Sequence, residues 1–367
     1  MQSQQPFPIR FDDLEQTAKK LLQHDVYEYI ESGGGREETL YANTEAFKKW
    51  RIVPRFGADV SDVSLETTFN RKKIEAPILL APIGMQGLVH PEGERATVQA
   101  AYEHGIPFIA STVASNSLED IRSAKPEASR WFQLYYPNDS GIAKSFVQRA
   151  EKAGYEAIVV TTDMPILGNR ERDIRNGYSP FALGKGKANY VQDPVFQGYV
   201  KEKDPHDYLD EMKKYFYRPS LSWNDIQTLR EWTSLPIYIK GILHPDDAQQ
   251  AVEIGVDGII VSNHGGRQLD RCIPSIDALP GIKDRVGNQI TILLDSGVRS
   301  GPDIVTALAL GADAVLLGRP FLYGLTLGGK QGVWQVLQQL KQDLKTTLML
   351  SGVPSVQQVD RSLLSRS

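Results

Sequence analysis

From Pro77 onward the chain alternates between short apolar runs and longer amphipathic segments. The runs are ILLAP from Ile78, PFIAS from Pro107, WFQLYY from Trp131, AIVVTTD from Ala157, IYIKG from Ile237, GIIVSN from Gly258, TILLDSG from Thr291 and AVLLGR from Ala314. Each is apolar at successive positions, the pattern of a strand buried on both faces in a parallel sheet. The intervening segments place apolar residues at helical spacing, as in GERATVQAAYEHG from Gly93, AKSFVQRAEKAG from Ala143, PDDAQQAVEIG from Pro245 and PDIVTALALG from Pro302. Several open on Pro or Asp and stop at Gly, as helix termini favour. Eight βα units predict an α/β fold of the (β/α)8 TIM-barrel type. An open, doubly wound sheet shares the alternation and is the rival arrangement.

Two regions depart from this rhythm. Before Pro77 the pattern predicts helices over 10–23, over 25–32 up to the breaker Gly33-Gly34-Gly35, and over 37–50, then irregular or short β structure over 51–75. Between Asp163 and Ile237 lie many more residues than a βα connection needs, and a helix from Ser222 to Thr233 accounts only for the end. The expected organisation is one domain over 1–367, with 1–75 as an N-terminal helical extension and 164–221 as a lid insertion after the fourth strand. The lid is polar and carries glycine, so its part from Phe181 to Leu221 is expected to be the most mobile region.

Composition narrows the function by exclusion. A formal net charge of −4 offers no electrostatic attraction for nucleic acid or an anionic membrane. No run approaches the length of a spanning helix, and MQSQQPFPIR has no apolar signal-peptide core. The single cysteine, Cys272, supports neither a disulfide framework nor a Cys/His metal site, so a cytoplasmic, metal-free protein is expected.

Chemistry in a TIM barrel gathers at the C-terminal ends of the strands. Those ends carry Pro82-Ile83-Gly84, Ser111, Gln133 with Tyr135, Thr161 with Asp163, Lys240, SNHGGRQLD with Ser262, His264 and Arg267, DSGVR with Asp295, Ser296, Gly297 and Arg299, and Gly318-Arg319. Each has a bland reading alone: His264 as a structural histidine, Asp163 as a helix cap, Arg170, Arg172 and Arg175 as a solvated face. Their recurrence at one rim points instead to a site. Glycines and arginines at the last two strand ends suit a phosphate, which barrels often bind there.

These motifs resemble the FMN-dependent L-2-hydroxy acid oxidases, the family of glycolate oxidase, lactate oxidase and lactate 2-monooxygenase. The resemblance runs from VYEYIESG at Val26 through APIGMQG and WFQLYY to SNHGGRQLD, DSGVRSG and LGRP. NYVQDPVFQ from Asn189 is nearer the monooxygenase branch, and GNRERDIRN from Gly168 nearer lactate oxidase. The resemblance implies FMN as cofactor, a small L-2-hydroxy acid and O2 as reactants, and a homotetramer or octamer. It implies His264 as the base with Asp163 behind it, and Arg267, Arg170 and Tyr29 on the substrate carboxylate. Tyr135 would meet the substrate oxygen and Lys240 the flavin N1/O2 edge. Pro82, Ile83, Gly84, Ser111, Gln133, Thr161 and Ser262 would line the isoalloxazine. Asp295, Ser296, Gly297, Arg299, Gly318 and Arg319 would hold the ribityl phosphate. Relatives carry Ala or Gly at the position of Gly84, so the glycine is expected to remove a methyl from the pocket wall and admit bulkier substrates or a retained keto acid. L-Lactate with peroxide release is the leading expectation. Alternatives are oxidative decarboxylation of lactate, a dehydrogenase with another electron acceptor, an FMN isomerase of the isopentenyl diphosphate type, and a barrel that binds a phosphorylated ligand without turnover.

Overall fold

A computed structural model describes residues 7–69, 72–204 and 208–367. Residues 1–6 and 70–71 of the expected N-terminal extension, and 205–207 of the expected lid, lie outside it. All eight apolar runs form strands: β1 (Ile78–Leu80), β2 (Phe108–Ser111), β3 (Arg130–Leu134), β4 (Ile158–Thr161), β5 (Ile237–Ile242), β6 (Gly258–Val261), β7 (Thr291–Leu294) and β8 (Ala314–Leu317). They pair in parallel in chain order, and β8 pairs with β1 to close the barrel. The open-sheet alternative is thereby excluded.

The strands read as continuously apolar because their two faces enter two different cores. Leu79, Ile109, Trp131, Val159, Tyr238, Ile260, Leu293 and Leu316 form one buried cluster, the barrel interior. Their neighbours Leu80, Phe108, Phe132, Ile158, Ile239 and Leu294 belong to a second, larger cluster between the strands and the surrounding helices. Side chains alternate across a strand with period two. Two residues beyond each interior apolar side chain therefore comes the next one on the same face. Those residues are Ser111, Gln133, Thr161, Lys240, Ser262 and Asp295, all buried. The polar layer of the site is the uppermost layer of the barrel interior.

The N-terminal extension forms α1 (Phe11–Leu21), α2 (His24–Glu31) and α3 (Glu38–Phe47), close to the expected ranges. The third helix ends before Trp50, because Trp50–Ile52 instead pairs antiparallel with Leu364–Arg366. A further hairpin joins Thr67–Phe69 to Lys72–Ile74. Helix α1 packs on the long helical stretch Arg319–Ser351, which breaks at Gly328 and Gly329.

The region after β4 is more ordered than its polar composition suggested. It contains helices Glu171–Arg175, Ala188–Val191, Pro194–Val200 and Tyr208–Phe216. Tyr190, Phe196, Val200, Met212 and Phe216 are buried, and Tyr190 packs edge-on against Phe146 of a barrel helix at 4.9 Å. Asn189 donates from Nδ2 to the carbonyls of Ser111 and Thr112 (3.2 and 2.9 Å), and Arg149 holds both Glu119 and the buried Asp193. The expectation of mobility from Phe181 to Leu221 is corrected accordingly. Its middle is anchored by aromatic burial, while Ala182–Leu183 and Lys201–Asp204 are among its exposed residues. Limited proteinase K digestion of the native protein is expected to cut first near Ala182–Lys185 or Lys201–Asp204, while 188–200 resists. Early cleavage inside 188–200 would show that the aromatic anchor does not hold.

Candidate active site

The strand ends and the loops that follow them converge on one cavity, lined among others by Tyr29, Pro82, Ile83, Gly84, Tyr135, Arg170, Lys240, His264, Arg267, Asp295, Ser296, Gly297, Arg299, Gly318 and Arg319. Ser111, Gln133, Thr161, Asp163 and Ser262 stand behind this lining. The structure thus brings together the residues singled out at the strand ends, with Tyr29 from α2 and Arg170 from the lid, but leaves Arg172 and Arg175 outside.

At the centre His264 Nδ1 lies 2.7 Å from Asp163 Oδ1, and Nε2 lies 3.4 Å from the Tyr135 hydroxyl. The carboxylate fixes which ring nitrogen is engaged and leaves Nε2 directed at the cavity. His264 sits in a left-handed conformation, φ 60°, unusual for a residue with a side chain. Side chains below it hold the turn. Ser262 Oγ accepts the His264 N–H at 3.0 Å, Ser296 Oγ accepts the Gly265 N–H at 3.0 Å, and Asn263 Oδ1 accepts the Gly266 N–H at 3.1 Å. Asn263 is held in turn by paired amides with Asn43 of α3 (2.9 and 2.7 Å).

Charge is distributed unevenly. Burial would raise the Asp163 carboxyl, but His264 and Lys240 outweigh it and hold Asp163 below its ordinary value. Burial lowers His264, with Asp163 opposing and Lys240 adding to the fall, so the imidazole is neutral near pH 7. Burial alone would depress Lys240, but Asp295 (3.3 Å) and Asp163 hold it above its usual value. Lys240 also donates to Ser262 Oγ at 2.8 Å. The Tyr135 hydroxyl is pushed up by burial and then by Asp163, and so remains protonated.

The arginines separate into two sets that sequence spacing did not distinguish. Arg172 pairs with Glu31 and Glu37, and Arg175 with Glu28, all from the N-terminal extension or the turn after it. Arg170 alone of the three enters the cavity, where it and Arg267 flank the Tyr29 ring, at 5.9 and 5.1 Å from the centroid. Among the described residues, Arg170, Arg267, Arg299 and Arg319 form no ion pair. Arg267 Nη1 donates to the carbonyls of Ile30 and Ser32 (3.2 and 2.7 Å). Arg319 donates to Ile30, Glu31, Ser32 and Gly265 carbonyls. Apart from Gly265, these acceptors are the C-terminal end of α2, where the helix dipole favours cations. Burial, then Arg170, lowers Arg267 to about 9, and burial, then Arg319, lowers Arg299 to about 10.

The donor set fits a flavin mononucleotide. Gln133 Nε2, Thr161 Oγ1 and Arg299 Nε are buried without partners. An unmet buried polar group is costly, so three at one site mark where a polar ligand completes the bonding. The first two lie in the barrel's top layer, suited to a heteroaromatic edge. The third lies beside Arg319, suited to a phosphate. Gly297, at φ 113°, allows this loop to meet α3, since a Cβ there would stand 2.5 Å from the Asn43 carbonyl oxygen. A methyl on Gly318 would meet only Ile83, at 3.7 Å.

Sequence reading missed the apolar half of the site. Met85, Val113, Met164, Leu167, Phe181, Phe216 and Tyr217 also line the cavity. The aromatic cluster YFY at 215–217, inside an otherwise polar lid, was the available signal. The expectation for Gly84 also needs correction. A Cβ there would point at the β2 loop, 2.5 Å from Val113 Cγ2 and 2.9 Å from the Val113 carbonyl oxygen. The glycine permits close packing of two loops rather than vacating a methyl's worth of pocket. Gly84→Ala is therefore expected to lower stability by about 1–3 kcal/mol in urea unfolding, by forcing Val113 to shift. An unchanged midpoint would show that the loop yields freely.

Comparison with known proteins bears on the same residues. The model of the FMN-dependent dehydrogenase family matches residues 18–366. The chain is 49% identical to an L-lactate oxidase of Lysinibacillus sphaericus (strain C3-41), over 97% of this chain and 92% of that protein. It is 40% identical to 2-hydroxyacid oxidase 1 of Homo sapiens, over 99% and 98%. The crystal structure of a mandelate oxidase superposes with a TM-score of 0.85 at 36% identity, covering 98% of both chains. With a barrel, a neutral histidine and an anion-seeking rim already in place, these likenesses mean that the chain belongs to the FMN-dependent dehydrogenase family, as an FMN enzyme that oxidises 2-hydroxy acids.

Proposed function

We propose that the preferred substrate is a small L-2-hydroxy acid, L-lactate foremost, and that O2 takes up the electrons with release of hydrogen peroxide. The observation that carries this reading is the juxtaposition, in one cavity, of a neutral His264 backed by Asp163 and two guanidinium groups without carboxylate partners. FMN, when bound, accepts two electrons from the substrate α-carbon and returns them to the acceptor.

The chain's own residues do the rest. Arg267 and Arg170 take the substrate carboxylate, with Tyr29 ordering both guanidinium planes. That fixes which face of the α-carbon is presented. His264 Nε2 accepts the proton released as the α-carbon is oxidised, and Asp163 stabilises the imidazolium formed. The protonated Tyr135 hydroxyl donates to the substrate oxygen as it becomes a carbonyl. Lys240 supplies positive charge at one edge of the cofactor, over Ser111, Gln133, Thr161 and Ser262, while Arg299, Arg319 and the Gly297 and Gly318 backbones receive the phosphate. Phe181, Phe216 and Tyr217 keep bulk water off the reacting carbon.

The same reading takes residues 1–367 as one FMN-binding domain, since α2 supplies Tyr29 and the carbonyls that seat Arg267. A homotetramer or octamer in the cytoplasm belongs with it, and exposed apolar residues such as Ile174 and Leu269 are surface that an assembly would cover. Among the described residues no helix is long and apolar enough to cross a membrane.

The direct test is to add L-lactate to the yellow holoenzyme without oxygen, then admit air and measure peroxide, pyruvate, acetate and CO2. Bleaching followed by equimolar peroxide and pyruvate is expected. Acetate and CO2 in their place would make the enzyme a monooxygenase, and no bleaching would overturn the substrate. His264→Asn should keep FMN while slowing bleaching by about 10²–10⁴-fold. Because His264 is lowered, the base form is lost only on acidification, so kcat/KM should rise with pH along an acid limb below 6.5 and then level. A limb above that value would contradict the direction. Arg267→Lys loses the two-pronged fork, so kcat/KM for L-lactate is expected to fall about 10–100-fold, with weaker binding of oxalate. Unaltered oxalate affinity would move the clamp to Arg170.

A further inference from the structure

Helix α1 contacts Arg299 and the helical stretch that begins at Arg319, two arginines that line the cavity. The Phe11 ring faces the Arg299 guanidinium, with its centroid 4.5 Å from Cζ, and lies 5.8 Å from the Tyr323 ring. One turn further along, Glu15 Oε1 accepts the Tyr323 hydroxyl at 3.0 Å. Leu14 and Ala18 are buried on the same helix. Tyr323 belongs to the helical stretch that begins at Arg319. Helix α1 is therefore docked on the element that presents one arginine while it covers the face of the other.

Arg299 has little else to order it. Its Nη1 donates to the neighbouring Val298 carbonyl at 2.9 Å, and its Nε is buried with no partner. A long side chain loses considerable freedom when fixed in one pose. An aromatic ring over the guanidinium face restricts the plane and removes water from one side, while the edge donors stay available to an anion. Phe11 and Glu15 precede residue 18, where the family match begins. Phe11 and Glu15 thus lie outside the matched segment, while Arg299 and Tyr323 lie within it.

We infer that Phe11 is a positioning residue for the cofactor phosphate: its ring holds the Arg299 guanidinium in the plane that meets the phosphate, so that helix α1 sets how tightly FMN is retained. The inference rests on the reading of Arg299 as a phosphate ligand. It carries a chemical signature, because riboflavin has the same ring system and ribityl chain but no phosphate. Loss of the Phe11 ring weakens FMN and spares riboflavin.

The experiment titrates FMN and riboflavin with full-length protein freed of flavin, and reads the quenching of flavin fluorescence. Phe11→Leu keeps bulk without a π face and is expected to weaken FMN by about 5- to 30-fold, the range of a desolvated cation–π contact. Riboflavin affinity should not change, and Phe11→Tyr should bind FMN as the parent does. Wild-type FMN affinity in Phe11→Leu overturns the inference. So does a parallel loss of both flavins, which would make Phe11 a packing residue only. Arg299→Leu separates the two layers of the argument. If it abolishes the preference for FMN over riboflavin while Phe11→Leu does not, the inference alone fails. If Arg299→Leu leaves the preference intact, the phosphate reading fails with it.

Discussion

The arrangement depends on guanidinium groups kept out of water without carboxylates. Arg267 and Arg319 are seated on the carbonyls at the end of α2, and those carbonyls offer partial rather than full negative charge. Carboxylate partners would have neutralised the cavity and removed its demand for anions. Carbonyl partners satisfy the N–H groups and leave the charge outstanding. Burying such charge is unfavourable unless an anion completes it. In the proposed function two anions, a substrate carboxylate and a cofactor phosphate, answer that requirement. The same constraint gives the N-terminal helix its place in the site, because its end supplies several converging carbonyls.

The second device is the turn after β6. His264 and Ser296 both adopt left-handed φ, 60° and 73°, on neighbouring strand ends. They are linked, since Ser296 Oγ accepts the Gly265 N–H and donates to Asp295, which pairs with Lys240. Lys240 returns to Ser262, whose Oγ also supports His264. His264, the Lys240 ammonium and the Asp295 carboxylate thus share one hydrogen-bonded circuit. Strain at His264 is sustained by this surround, which explains why polar residues fill the top interior layer of an otherwise apolar barrel.

Legibility followed the reach of the forces involved. The strands could be read because burial on both faces leaves an unbroken apolar run, and the polar rim because period-two alternation carries the interior face past each strand end. Residue roles came from a family resemblance carried by SNHGGRQLD and DSGVR. Features set by tertiary contact stayed hidden. Arg170, Arg172 and Arg175 look alike in sequence, yet only the first escapes the glutamates of the N-terminal extension. The lid's order rests on Tyr190, backed by Phe196, meeting Phe146 from a distant part of the chain. The direction of a Cβ at Gly84 depends on loop backbone that no local pattern encodes.

The pairing of Trp50–Ile52 with Leu364–Arg366 has a consequence during synthesis. Arg361 and Arg366 also cover the Trp50 ring, and β1 finds one of its two neighbours only in β8. These early segments therefore wait for partners encoded about 240 to 310 residues later, roughly 12–60 seconds at ordinary elongation rates. Until then β1 presents an unpaired apolar edge, the kind of surface on which an unfinished chain misassociates.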